Sequence, residues 1–155
     1  MTKDTIKELL CDTLGCEDVE ESRRLGYASV RLLLQFAEAQ LAARRSCLLE
    51  CNFRARWNSE HFLALKERYP YQPVQVLCRA DLAVLAERIR RRTETGERHV
   101  GHFDTAREVD VGMLRDQCEP LAIGGRVIEV DTTDFDAVDY EGILAEIKTL
   151  QGELD

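Results

Sequence analysis

Three short apolar runs, residues 47–51, 74–78 and 126–130, are separated by stretches too long for a hairpin and long enough for a helix. Antiparallel neighbours can close through a few turn residues, whereas parallel neighbours need a crossover of roughly a dozen residues or more. The spacing therefore predicts an α/β fold with parallel strands joined by right-handed helical crossovers.

The intervening sequence fits that expectation. Ile6, Leu9, Leu10 and Leu14 recur at helical spacing, Thr5 with Glu8 matches a capping box, and Gly15 is placed to end the helix. A longer helix is predicted over about residues 20–44, with Leu25, Ala28, Leu32, Phe36 and Leu41 as its buried stripe. A helix over 59–69 turns Phe62 and either Leu65 or Leu63 inward, and Pro70 and Pro73 bound the turn before the second strand. Asp81 caps a helix that Gly96 stops, residues 107–117 read as a short helix, Gly124 and Gly125 make a turn, and 139–150 form the last helix. Three strands make a thin parallel sheet, which normally needs several neighbours and cover on both faces. One or two strands are therefore expected ahead of Met1.

The 155 residues, 45% hydrophobic and 32% charged, suit one domain. Lys and Arg number 21 against 29 Asp and Glu, a net charge of -8, which disfavours bulk nucleic acid and anionic membrane as partners. No apolar run approaches membrane-spanning length and the first residues are charged, so a cytoplasmic protein is expected. Six cysteines form no C-x-x-C pair and no zinc-like spacing with the histidines; Cys47, Cys51 and Cys78 are expected as buried thiols in strands.

Residues 46–52 (SCLLECN) with Phe53, then an arginine-rich helix, Gly-Glu-Arg-His-x-Gly-His at 96–102, and a strand ending in Asp-Thr-Thr at 131–133 carry a more specific pattern. In this order they resemble small P-loop kinases often grouped as AAA-type ATP-binding proteins, with chloramphenicol phosphotransferase, zeta toxins and polynucleotide kinase as relatives. The resemblance covers nearly the whole chain and implies a three-layer α/β/α P-loop NTPase-like fold without its first two strands. No G-x-x-x-x-G-K-[ST] phosphate loop (Walker A) occurs anywhere. The chain is thus expected to be a single truncated P-loop kinase-like domain, residues 1–155, with a lid at about 88–104.

Specific roles follow from that resemblance. Complete relatives transfer the γ-phosphate of ATP, with Mg²⁺, to a hydroxyl of a small molecule or nucleotide. Glu50, at a strand tip, would hold the metal. Lys3, Asp4 and Lys7 match a segment whose Asp accepts the acceptor's proton, although Asp is favourable in any first helical turn. Lys7, Asn52 and Phe53 would face the acceptor, in a pocket that Trp57 and the long second helix help to shape. Arg88, Arg91 and Arg98 would neutralise the transferred phosphoryl group, with Gly96 and Gly101 as flexible points. The same charges also fit ordinary helix pairs, Glu87 with Arg91 and Glu94 with Arg98. Arg91, Thr132 and Thr133 would contact the nucleotide. Without the phosphate loop the polypeptide is expected to be an inactive kinase. The alternatives are a non-catalytic binding or regulatory remnant, or one part of a split protein completed by an N-terminal partner segment.

Overall fold

The computed structural model describes residues 1–103 and 119–152. Its elements are α1 (Lys3–Leu14), α2 (Val19–Ala42), α3 (Ala55–Arg68), β1 (Val74–Arg79), α4 (Leu82–Thr95), β2 (Arg126–Asp131) and α5 (Tyr140–Gly152), with 3-10 turns at Val100–His102 and Phe135–Ala137. The helix expected at 107–117 lies outside the described residues.

β1 and β2 pair in parallel, with Val74 opposite Arg126 and Arg79 opposite Asp131, so the expected parallel α/β architecture is present. The regular strand expected at 47–51 is not. Within it only Glu50 bridges, in parallel, to Thr2, through Lys3 N–H to the Glu50 carbonyl (2.9 Å) and Glu50 N–H to the Met1 carbonyl (3.0 Å). A strand is only as long as the ladder that satisfies its backbone groups, and here the neighbour on that side spans Met1 to Lys3 before turning into α1. Cys78 is correspondingly exposed and Cys47 and Cys51 only half-buried, rather than sealed within a sheet.

Helix ends follow local chemistry. Thr2, not Thr5, caps α1 by accepting from the Thr5 N–H, and this leaves Glu8 for a different partner. Asp18 caps α2, Asp81 caps α4, and Gly96 ends α4 in the left-handed region at φ 68°. Gly125 has φ 82°, and a Cβ there would lie 2.0 Å from the Pro73 carbonyl oxygen, so only glycine lets the turn before β2 pass the start of β1.

The stripe buried on α2 is Ser22, Leu25, Ser29, Leu33 and Ala37, with Leu34 beside it; Ala28 is exposed and Leu32 is 48% exposed. Small residues face α1, and they turn the helix away from the register that the large apolar residues suggest. Leu34, Phe62, Leu65 and Ile123 form the core cluster that joins α2, α3 and the segment before β2. Leu63, by contrast, is 41% exposed. Tyr71 donates its hydroxyl hydrogen to the Phe62 carbonyl (2.8 Å), and Ala122 N–H donates to Ser59 Oγ (3.0 Å). Among the described residues no helix is long and apolar enough to cross a membrane.

Candidate functional site

The N-terminus of α1 is where distant parts of the chain meet. Asp4, Glu8 and Asp12 stand four residues apart and so form one acidic stripe on the helix. Each carboxylate has a partner from residues 98–102. Arg98 Nη1 donates to Asp4 Oδ2 (3.3 Å), His102 Nε2 lies 3.1 Å from Glu8 Oε1, and His99 Nε2 lies 3.1 Å from Asp12 Oδ1. Lys3 Nζ donates to the other oxygen of Asp4 at 2.8 Å.

His102 is only 3% exposed, and its Nδ1 faces Arg98 Nη2 at 3.2 Å. A guanidinium can only donate, so Nδ1 accepts and the neutral ring donates its Nε2–H to Glu8. Burial and then the charge of Arg98 lower the His102 pKa from its ordinary value, against the opposing pull of Glu8. The turn carrying these groups packs closely on α1: a Cβ on Gly101 would meet Cys11 Sγ at 2.6 Å. Gly101 is there for close approach rather than as the flexible point expected from sequence.

Asp4 and Glu50 respond oppositely to this setting. Burial pushes the Asp4 carboxyl up, but the Lys3 hydrogen bond and the charges of Lys3 and Arg98 together hold its pKa below the usual value. Asp4 is therefore an ionised acceptor. Glu50 is pushed up by burial and then by the charge of Asp4, only partly relieved by Lys3 and Arg98. Two carboxylates that feel each other's charge are the hard oxygen donors that a divalent cation takes together with water and phosphate oxygens. No group of three or more possible metal-ligating side chains occurs among the described residues.

The arginines of α4 do three different things. Arg98, just beyond the helix, joins Asp4. Arg88 donates from Nη1 to the Thr132 carbonyl (2.7 Å) and from Nη2 to the Thr133 carbonyl (2.9 Å), and its guanidinium lies 4.0 Å from the centre of the Phe135 ring. Arg91 is exposed and joins neither cluster. Surface pairing falls to Arg90, which bonds both Glu87 and Glu94, in place of the pairs expected for Arg91 and Arg98. Arg90 lies three residues from one acid and four from the other, whereas Gly96 has already ended the helix before Arg98.

Thr132 and Thr133 follow β2 at the carboxyl end of the sheet. Thr132 Oγ1 donates to the Arg79 carbonyl (2.9 Å), and Thr133 Oγ1 accepts from the Asp81 N–H (3.0 Å). Their side chains thus tie the β1 and β2 exits together, beside a crevice of about 460 Å³ lined by Arg79, Asp81, Glu129, Asp131 and Thr133.

A second opening of about 390 Å³ lies between α2 and α3. Lys3, Lys7, Ser22, Cys51 and Asn52 contribute to its lining. Lys7 is 3% exposed and donates from Nζ to Ser22 Oγ at 2.8 Å. Phe53 does not line this cleft: its ring sits edge-on to Phe62, centroids 5.3 Å apart, and packs against the core. Sequence reasoning missed the groups of the cleft wall, Arg23, Tyr27 and Arg31 on α2, Arg54 at the N-cap of α3, and Asn58 and His61 on that helix, and also the acidic stripe of α1. The signal for both was polar periodicity, which a search for apolar periodicity passes over.

A family model for an AAA domain matches residues 2–116. The chain belongs to this P-loop kinase-like AAA family. A solved structure described as "a putative kinase", from Chloroflexus aurantiacus J-10-fl, is 33% identical, with a TM-score of 0.85 over 96% of this chain and 81% of that one. No curated protein matches.

Proposed function

We propose that this chain forms the acceptor-binding and charge-neutralising side of an ATP-dependent phosphotransferase site. Family membership supports a P-loop kinase-like protein; the finer reading rests on Arg98 reaching Asp4 across 94 residues of sequence, with Glu50 in the field of both. In this reading Asp4, ionised and fixed by Lys3, accepts the hydrogen of an acceptor hydroxyl and orients its oxygen. Arg98 then exchanges part of its bond with Asp4 for the charge that spreads over the transferred group. Lys7 and Asn52 border the cleft from which the acceptor approaches. Glu50, with Asp4 nearby, would hold Mg²⁺, which when bound supplies charge neutralisation between the ATP phosphates. Arg88 serves the nucleotide side indirectly, by fixing the Thr132 and Thr133 loop. Arg91, on the exposed face of α4, can reach a nucleotide only from outside the crevice.

Positioning is most of phosphoryl-transfer catalysis, and the sequence has no glycine-rich loop to cradle the β- and γ-phosphates. The 155-residue polypeptide by itself is therefore expected to turn over negligible ATP. The test is labelled-phosphate transfer from Mg²⁺-ATP to a panel of hydroxyl compounds, with the polypeptide alone and after addition of the phosphate-loop segment of a related kinase. The expected result is no transfer alone, and transfer with the segment that Asp4→Ala abolishes. Transfer by the polypeptide alone that Asp4→Ala removes overturns the inactivity, and a transfer indifferent to Asp4→Ala overturns the role of Asp4. Acceptor binding without transfer in either case would leave a non-catalytic binding module, which the missing loop also favours.

A further inference from the structure

The opening between α2 and α3 has a composition unlike the rest of this protein. Arg23, Tyr27 and Arg31 recur every four residues along α2, and Arg54, just before α3, with Asn58 and His61 on α3 lines the same opening. Lys3 and Lys7 lie at the inner end, and no carboxylate lines the space. In a chain with a net charge of -8 this is a concentrated positive field. Several surface arginines elsewhere are matched by acids, as Arg68 is by Glu38, Arg79 by Glu129 and Arg126 by Glu146. Arg23, Arg31 and Arg54 have no such ion pair among the described residues. Arg54 is instead held over the Trp57 ring, 4.8 Å from its centre.

We infer that the acceptor taken by this cleft is a small organic oxyanion, a hydroxyl compound bearing a phosphate or carboxylate that Arg23, Arg31 and Arg54 receive. The inference rests on the acceptor-site reading given above and names the chemistry of its substrate. Guanidinium groups pair with both kinds of oxyanion in bidentate fashion, whereas a neutral sugar or alcohol offers them no charge to pair with. A volume of about 390 Å³ suits a small molecule, and the strongly acidic balance of the chain disfavours a polymeric nucleic acid. Lys7, buried beside Ser22, sets the polarity of the floor, and Lys3, which lines the same space, is tied to Asp4.

Trp57 is the one tryptophan of the sequence and lines the cleft, so its emission reports occupancy without any need for turnover. Titrating the polypeptide with inorganic phosphate, glucose 6-phosphate, gluconate and glucose should give saturable changes with the oxyanions and none with glucose; phosphate-selective or carboxylate-selective response distinguishes the two sources. The double variant Arg23→Gln/Arg31→Gln should weaken oxyanion binding by about tenfold or more, whereas Arg90→Gln leaves it unchanged. Both arginines are exposed on α2, and unchanged far-ultraviolet dichroism of the double variant confirms that folding is not the cause. Equal response to glucose, no response to any oxyanion, undiminished binding in the double variant, or much tighter binding of a 5′-hydroxyl oligonucleotide than of every small anion overturns the inference. Anion binding with no phosphoryl transfer after the loop segment is supplied defeats the kinase reading and leaves the oxyanion cleft standing; transfer to a neutral acceptor does the reverse.

Discussion

The loop after β2 and the turn at residues 98–103 both bring sequence-distant groups to the head of the fold, but they are fastened by different chemistry. The β2 loop is held by geometry: a glycine turn at Gly125, threonine hydroxyls on backbone groups, and Arg88 on two carbonyls. None of those contacts depends on a group that titrates near neutrality. The 98–103 turn is held by ionisable partners, Asp4 with Arg98, Glu8 with His102 and Asp12 with His99. A surface that packs against a base benefits from fixed shape, whereas one that handles charge needs groups able to exchange partners. The contrast matches the proposed division, nucleotide support in the first region and acceptor chemistry in the second, and it can be broken on either side.

The largest effect is expected from Gly125→Val. Its Cβ would overlap the Pro73 carbonyl, and φ 82° is strained for a branched residue, so β1 and β2 cannot keep their register. A loss of about 3–5 kcal/mol in urea unfolding, or failure to fold, is expected, with little dependence on pH. If the variant unfolds at the same midpoint as the parent, the geometric account of this region fails.

His102→Ala should come next, at about 2–4 kcal/mol, because it leaves a buried gap and strands Glu8. Here pH is decisive. The folded pKa of His102 lies below its ordinary 6.5, so its contribution is fully present above about pH 6.5 and is lost as pH falls through the folded value. Asp4, also lowered, adds a second loss only below its ordinary 3.8. Denaturation followed from pH 7.5 to 5 should therefore decline for the parent and flatten for His102→Ala. Parallel declines in the two proteins would remove His102 from the network.

The two regions also differ in how far sequence alone revealed them. Helix bounds were legible because caps and stops are local: Asp81, Gly96 and the glycine pair at 124–125 behave as their chemistry requires. The parallel arrangement followed from spacing. The 47–51 strand did not form as expected, because strand length is decided by a neighbour and not by the run itself. Asp4, Glu50 and Arg98 could be picked out by resemblance, yet their mutual approach could not, since it needs Gly101 to close on Cys11. The α2 stripe was misplaced because Ser22 and Ser29 are fully buried: a hydroxyl that bonds Lys7 or its own helix carbonyl can replace an apolar side chain at an interface.

Arg88→Ala tests the geometric region more gently. Two hydrogen bonds to carbonyls and the contact with Phe135 are lost, but Thr132 and Thr133 keep their own ties to β1. Roughly 1–2 kcal/mol of stability should go, and nucleotide affinity should fall more than oxyanion binding at Trp57. The opposite ranking, measured by paired titrations, would place Arg88 with the acceptor and dissolve the division between the regions.

The smallest expected effect is a gain. Glu50 has a folded pKa raised above its ordinary 4.5, first by burial and then by Asp4, so the fold favours its neutral form. A raised carboxylate contributes stability that is complete below the unfolded pKa and is lost as pH rises through the folded one. Glu50→Gln removes that loss without changing shape and should raise the melting midpoint at pH 7 by about a degree, a small figure because the side chain is substantially exposed. At pH 4 the difference should vanish, since the parent is then largely protonated as well. Mg²⁺ should narrow the gap at pH 7 by stabilising only the parent, because the amide cannot replace the charge that a divalent cation needs. A gain of this kind would match the proposed metal-holding role, because a ligand-holding residue costs its fold stability. If Glu50→Gln instead lowers the midpoint at pH 7, Glu50 is a structural partner of Lys3 and Arg98, and the metal role passes to Asp4 or to no residue of this region.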